Sequence, residues 1–90
     1  MKTFNEFVEE IVRNFDKKFT SEIKAKAENF TLKNHAGASD TLYQCQFDWF
    51  VIEYTLNEWK YHFNGYIGKG ASLSEAEDNH SEKYQEYLNS

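Results

Sequence analysis

Residues 43–66 read YQCQFDWFVIEYTLNEWKYHFNGY and hold nine of the sixteen aromatic residues of the chain. Aromatic and β-branched residues favour strands, and apolar side chains alternate with polar ones through most of this stretch. The alternation predicts one strand over 43–54 and another over 59–65. The first of these either becomes covered on both faces towards its end or carries a bulge near Asp48. A helix over 48–60 remains an alternative, because Phe47, Phe50, Val51 and Tyr54 also fit helical spacing.

The residues before this stretch predict a long helix. Thr3 and Glu6 have the spacing of a capping box, in which each side chain accepts a hydrogen bond from the other residue's backbone amide. Apolar residues then recur at steps of three and four over about 3–27, with a bend or restart at Thr20. A short strand around Phe30 and Leu32 and a turn over 34–40 should follow. The apolar face of the helix comprises Phe4, Phe7, Val8, Ile11, Val12, Phe15, Phe19 and Ile23.

The residues after this stretch predict a glycine-rich turn and a second helix. Gly65, Gly68 and Gly70 come first, and two overlapping capping boxes follow, Ser72 with Glu75 and Ser74 with Glu77. The apolar face of that helix comprises Leu73, Ala76, His80, Tyr84, Tyr87 and Leu88, and His80 should pack on the sheet with one nitrogen bonded. The predicted fold is α+β: a long N-terminal helix, a three-stranded antiparallel sheet and a C-terminal helix.

Length and composition predict one globular domain spanning residues 1–90. The chain is 40% hydrophobic and 28% charged, with a mean hydropathy of −0.81, which fits neither a disordered tail nor a membrane protein. Cys45 is the single cysteine, so a disulfide framework is excluded and the thiol should be inert. The charged N-terminus lacks the apolar run of a signal peptide, which predicts a cytoplasmic protein.

Candidate chemical motifs are weak. The glycine-rich segment over 65–72 precedes a helix but lacks the spacing of a Walker A loop. His35, His62 and His80 are far apart in the sequence and show no local metal-ligand spacing. We therefore predict no catalytic residues, no metal site and no cofactor, and hence a protein that is not an enzyme.

The charge distribution predicts a binding surface. The net charge of −5 falls in residues 46–90, where three lysines oppose eight acidic residues. Such a segment cannot form the basic face that nucleic-acid binding requires, so we expect a protein partner with a basic groove and no direct contact with nucleic acid or membrane. Four acidic residues share one face of the C-terminal helix, and the aromatic residues beside them suit an interface. The predicted partner-binding residues are Glu75, Asp78, Glu82, Glu86, Trp49, Trp59 and Tyr61. A solvated helix face and a core filled with large rings are the alternatives.

The whole chain resembles the small acidic proteins by which bacteriophages block host defence, the anti-CRISPR and anti-restriction inhibitors. This resemblance implies an inhibitor of a bacterial defence nuclease that imitates the charge of nucleic acid and acts in the host cytoplasm. A second, local resemblance covers residues 61–88, where Gly68-x-Gly70-x-Ser72-Leu73-Ser74-Glu75-Ala76-x-x-Asn79 is similar to the strand-to-helix segment of HicB-type antitoxins. That resemblance implies an antitoxin or another intracellular partner-binding module.

Overall fold

The computed structural model describes residues 2–32 and 41–89 and has an α+β fold. Within these residues, five antiparallel strands form one sheet in sequence order, and helices pack on one of its faces. The predicted α+β class and the N- and C-terminal positions of the helices are confirmed. The predicted strand at Phe30–Leu32 is wrong, because these residues form a 3-10 turn. The predicted turn over 34–40 lies outside the described residues.

The N-terminal helical region is divided into shorter segments. Helix α1 spans Phe4–Asn14, a 3-10 turn spans Lys17–Phe19, and helix α2 spans Thr20–Lys26. The predicted capping box at the start of α1 is confirmed. A single helix over 3–27 is wrong, because Phe15 adopts an extended conformation and the Asp16 carboxylate accepts a hydrogen bond from the Lys18 amide, 3.1 Å away. The Asp16 cap begins a new helical turn at Lys17. The break in the helix therefore lies before Thr20, the position at which the sequence predicted a bend.

The aromatic stretch forms a meander with more strands than predicted. The strands are β1 Ala27–Asn29, β2 Tyr43–Gln46, β3 Phe50–Thr55, β4 Glu58–Phe63 and β5 Tyr66–Gly70. The chain turns between β2 and β3, where the Phe47 amide donates to the Phe50 carbonyl over 2.9 Å. The predicted continuous strand over 43–54 is therefore wrong, and so is the alternative helix over 48–60. Asn64 and Gly65 both have positive φ, which suits the tight turn from β4 to β5.

Gly68 and Gly70, which the sequence assigned to a turn, belong to strand β5. A Cβ atom at Gly68 would overlap the backbone carbonyl of Ala76. Helix α3, which spans Leu73–Leu88, therefore lies directly on β5. Asn79 and Lys83 of α3 donate hydrogen bonds to the carbonyls of Lys69 and Ile67 on that strand. The missing side chain at Gly68 thus sets the position of the helix that carries the acidic residues.

The core lies between the helices and the inner face of the sheet. Strand register places three pairs of core residues opposite one another on β3 and β4: Tyr54 with Trp59, Ile52 with Tyr61, and Phe50 with Phe63. Helix α1 covers them, and the Phe7 ring stacks on Trp59 with centroids 5.2 Å apart. The outer face carries a row of polar side chains, Gln44, Glu53, Lys60 and Lys69, aligned across four strands.

Candidate functional site

Carboxylates from two elements satisfy the N-terminus of α3. The Ser72 hydroxyl accepts from the Glu75 amide over 3.1 Å, and the Glu75 carboxylate accepts from the Ala71 amide over 3.3 Å. From α1, the Glu10 carboxylate accepts from the Leu73 amide over 3.0 Å. These acceptors satisfy helix-end amides and complement the helix dipole. The Glu10 bond also joins the start of α3 to α1.

Four acidic residues form a column along the side of α3 that faces away from the sheet. All four are exposed, and we name them the acidic column: Glu75, Asp78, Glu82 and Glu86. Helix α3 contains one lysine, Lys83, and no arginine, and the Lys83 ammonium group donates to the Ile67 carbonyl, 3.1 Å away. Within 2–32 and 41–89, no ion pair reaches Asp78, Glu82 or Glu86. These three residues of the column therefore present uncompensated negative charge to solvent.

The opposite side of α3 packs on the sheet through His80. This residue is buried, and its Nε2 atom lies 2.8 Å from the Phe63 carbonyl oxygen. Because a carbonyl only accepts hydrogen bonds, Nε2 carries a proton and donates it. The Tyr61 ring meets the imidazole edge to face at 5.2 Å. The prediction that His80 packs on the sheet with one nitrogen bonded is confirmed.

A cleft of about 330 Å³ opens between the end of α1, strand β4 and helix α3. We name it the aromatic pocket, because four half-buried rings form its walls: Phe15, Tyr61, Phe63 and Tyr84. Tyr61 and Phe63 lie two residues apart on the inner face of β4, with ring centroids separated by 6.5 Å. Tyr84 stands one helical turn beyond His80 and stacks on its ring at 6.3 Å. The pocket thus lies beside the acidic column on the α1 side of α3.

Glu77 is the single carboxylate that lines the aromatic pocket. Burial raises the pKa of its carboxyl group, and the neighbouring charge of Asp78 raises it further. The Tyr61 hydroxyl also has a raised pKa, first because of burial and then because of Glu77. The predicted capping box between Ser74 and Glu77 does not form, since Ser72 caps the helix instead. Glu77 is therefore free to face the pocket.

The aromatic residues predicted to bind a partner have different positions. Trp49 is 57% exposed and contacts Phe50 and Phe63, with centroid distances of 4.3 and 6.0 Å. Tyr61 lines the aromatic pocket. Trp59 is fully buried beneath α1, so its assignment to a binding surface was wrong. The two tryptophans differ because Trp59 belongs to the inner face of β4, whereas Trp49 lies in the turn before β3.

Sequence reasoning missed the aromatic pocket. Phe15 and Tyr84 were assigned to apolar helix faces and Glu77 to a helix cap, and these three residues meet only after α1 and α3 pack on the same sheet face. A signal was present, because Glu77 lies three residues before His80 and therefore near the sheet-facing side of α3. Glu77 and Phe15 are far apart in the sequence, so helical spacing alone could not show that they line the same pocket.

The other reactive side chains do not form a second site. Cys45 is buried, and burial raises the pKa of its thiol to about 11, which suppresses the reactive thiolate. His62 contacts the Glu53 carboxylate on the outer face of the sheet. In the part of the chain that the structure describes, no group of three or more metal-ligating side chains is placed to hold a metal ion. His35 lies outside that part.

Comparison with known proteins finds no matching protein family, no similar curated protein and no similar solved structure. None of the helices within 2–32 and 41–89 combines the length and the apolar character needed to cross a bilayer.

Proposed function

We propose that this chain is a small acidic inhibitor that binds a basic, nucleic-acid-binding protein of a bacterial defence system, as the anti-CRISPR and anti-restriction inhibitors do. The acidic column would occupy the groove of a nuclease in place of a nucleic acid backbone. Half-buried Tyr61 and exposed Trp49, whose ring contacts Phe63, would add aromatic contact area. Trp59 is no longer part of the proposed surface.

The observation that carries this proposal is the uncompensated charge of the acidic column. Carboxylates three and four residues apart repel one another, and those near the end of a helix also oppose its dipole. Glu86 lies in the last turn of α3, where the structure has no basic residue. Asp78, Glu82 and Glu86 therefore lower the stability of their own helix, whereas Glu75 caps it. Such an arrangement is favourable when a partner supplies the positive charge.

The first test is a pull-down from bacterial lysate with two matched variants. Glu82→Lys with Glu86→Lys reverses the lower half of the column, and we expect it to abolish partner capture. Glu9→Lys with Glu58→Lys changes the net charge equally at positions away from α3, and it should capture as the wild type does. The column variant should fold about as well as the wild type, because both positions are exposed. The new cation at position 82 attracts Asp78 and the one at position 86 suits the C-terminal end of the helix, which offsets the repulsion of both by each other and by Lys83. Lost capture would then report the interface and not unfolding.

The second test uses the captured protein. Wild-type binding should weaken steeply as salt rises from about 0.1 to 0.5 M, and the inhibitor should compete with nucleic acid for the same groove. A nuclease effector as the specific partner would support the proposal, whereas a small basic toxin would select the antitoxin-like alternative. Binding that is indifferent to both salt and the column variant would refute the proposed surface.

A further inference from the structure

Four aromatic side chains line the aromatic pocket. Tyr61 and Phe63 form its floor on β4, and Phe15 closes the α1 side while stacking on Phe50 at 5.2 Å. Tyr84 forms the α3 wall. Phenol and phenyl rings carry negative charge on their faces and attract cations placed over them. The pocket therefore favours a positively charged or apolar occupant over an anion.

The charge of the pocket lining also favours a cation as the occupant. Glu77 is half-buried, and neither lysine nor arginine lines the cleft. Within 2–32 and 41–89, no hydrogen bond or ion pair reaches the Glu77 carboxylate. One potential donor in the lining, His80 Nε2, is already bonded to the Phe63 carbonyl. Half-burial of a carboxylate without a partner is unfavourable, and a cation with hydrogen-bond donors would relieve it.

The size of the pocket selects among cations. A volume of about 330 Å³ is far larger than a bare metal ion needs, since one water molecule takes about 30 Å³ of liquid. The described residues also provide no set of three metal ligands here. A planar guanidinium matches the pocket better, because it can stack on Tyr or Phe while it donates two parallel hydrogen bonds to one carboxylate. Its apolar stem would lie along the remaining rings.

We propose that the aromatic pocket binds the guanidinium group of an arginine side chain, paired with Glu77 and stacked on Tyr84 or Tyr61. This inference rests on the proposed function for its source of arginine, which is the basic partner that engages the neighbouring acidic column. The column attracts the partner over a long range, and the pocket anchors one side chain of it. A buried arginine anchor next to a solvated charged surface resembles the packed anchors of interface hot spots.

The test requires no partner. Blocked arginine, N-acetyl-arginine-methylamide, is titrated into the full chain while amide and aromatic NMR signals are recorded. Blocked citrulline is the matched probe, because it keeps the shape of arginine and loses its charge. We expect arginine to shift the signals of Tyr61, His80 and Ser81 with a Kd of about 1 mM, and citrulline to leave them unchanged. Equal shifts with both probes would overturn the proposal.

Two protein variants complete the test. Glu77→Gln keeps the shape of the side chain, and we expect it to raise the Kd for blocked arginine by about tenfold or more. Glu86→Gln removes the same charge from the exposed column and should leave the Kd within about twofold. Tyr84→Leu removes a ring face and should also weaken binding, with the dispersion of the NMR spectrum as the check on folding. Unchanged affinity in Glu77→Gln would refute the site.

The pocket and the proposed function can fail separately. Selective binding of the arginine probe together with partner capture that ignores the acidic column would support the pocket and refute the proposed surface. Partner capture that depends on the acidic column, together with no selective binding of the arginine probe, would keep the column as the interface and exclude the pocket from it.

Discussion

Glu77 shows at the level of a single residue how a binding group affects stability. Burial raises the pKa of its carboxyl group above 4.5, the ordinary value, so the folded chain holds the proton more tightly than the unfolded chain does. The resulting stabilisation is present when Glu77 is protonated at low pH, and it is lost as pH rises through the folded-state pKa. At neutral pH the ionised, half-buried carboxylate therefore lowers the free energy of unfolding.

We expect Glu77→Gln to raise the melting temperature at about pH 7, and this advantage should shrink as the pH falls to about 4. Thermal unfolding followed by circular dichroism at several pH values measures the effect. Glu82→Gln is the control, since Glu82 is exposed and its substitution should change stability by less than about 0.5 kcal/mol. A lower melting temperature for Glu77→Gln at pH 7 would show that the carboxylate has a stabilising partner.

At the level of secondary-structure elements, the contact between β5 and α3 places the candidate site. Gly68 allows the helix backbone to approach the strand, and the side chains of Asn79 and Lys83 bond to carbonyls of β5. Because β5 is an edge strand, these bonds also cover backbone groups that would otherwise be open to another chain. The absence of a side chain at Gly68 thus lets α3 approach β5, and two side-chain hydrogen bonds to β5 hold the helix there.

Gly68→Ala should therefore displace α3 and destabilise the fold by about 3 kcal/mol or more, because the added methyl group would overlap the Ala76 backbone. Lys69→Ala tests the neighbouring position, whose side chain is exposed on the outer face, and it should cost less than about 1 kcal/mol. Urea denaturation of both variants gives the two free energies. Equal stabilities would mean that α3 does not lie against β5 as closely as described.

For the whole molecule, α1, the sheet and α3 share one core. Phe7 and Ile11 of α1 are fully buried with Trp59, Ile52 and Leu73. Helix α1 also bonds to the start of α3 through Glu10. Elements that share buried side chains in this way unfold together in small domains.

Ile11→Ala should reduce the free energy of unfolding by about 2–5 kcal/mol, a large part of the stability of a domain of this size. In a Trp49→Phe background, the fluorescence of buried Trp59 should change at the same urea concentration as the helical circular dichroism signal. Arg13→Ala, at an exposed position of α1, serves as the control. Loss of helix signal before the Trp59 transition would show that α1 is a separate arm.

The sequence by itself predicted features that depend on near neighbours. The cap of α1 at Thr3 and the cap of α3 at Ser72 were predicted because each relies on a residue three positions away. The shared exposure of Asp78, Glu82 and Glu86 followed from helical periodicity in the same way. Each of these features is determined by local hydrogen bonding or by the period of one element.

The tertiary structure decided where strands end and which side chains meet. The apolar positions along 43–54 change from odd to even numbers near Asp48, and a bulge accounts for that change as well as a turn does. Only the antiparallel pairing of β2 with β3 shows that the chain reverses there. Trp59 and Trp49 have similar sequence surroundings, and only the cover of α1 over β4 buries one and leaves the other exposed. The pocket around Glu77 joins residues from α1, β4 and α3 that are far apart in the sequence. Such contacts follow from packing between elements, which no local period of the sequence encodes.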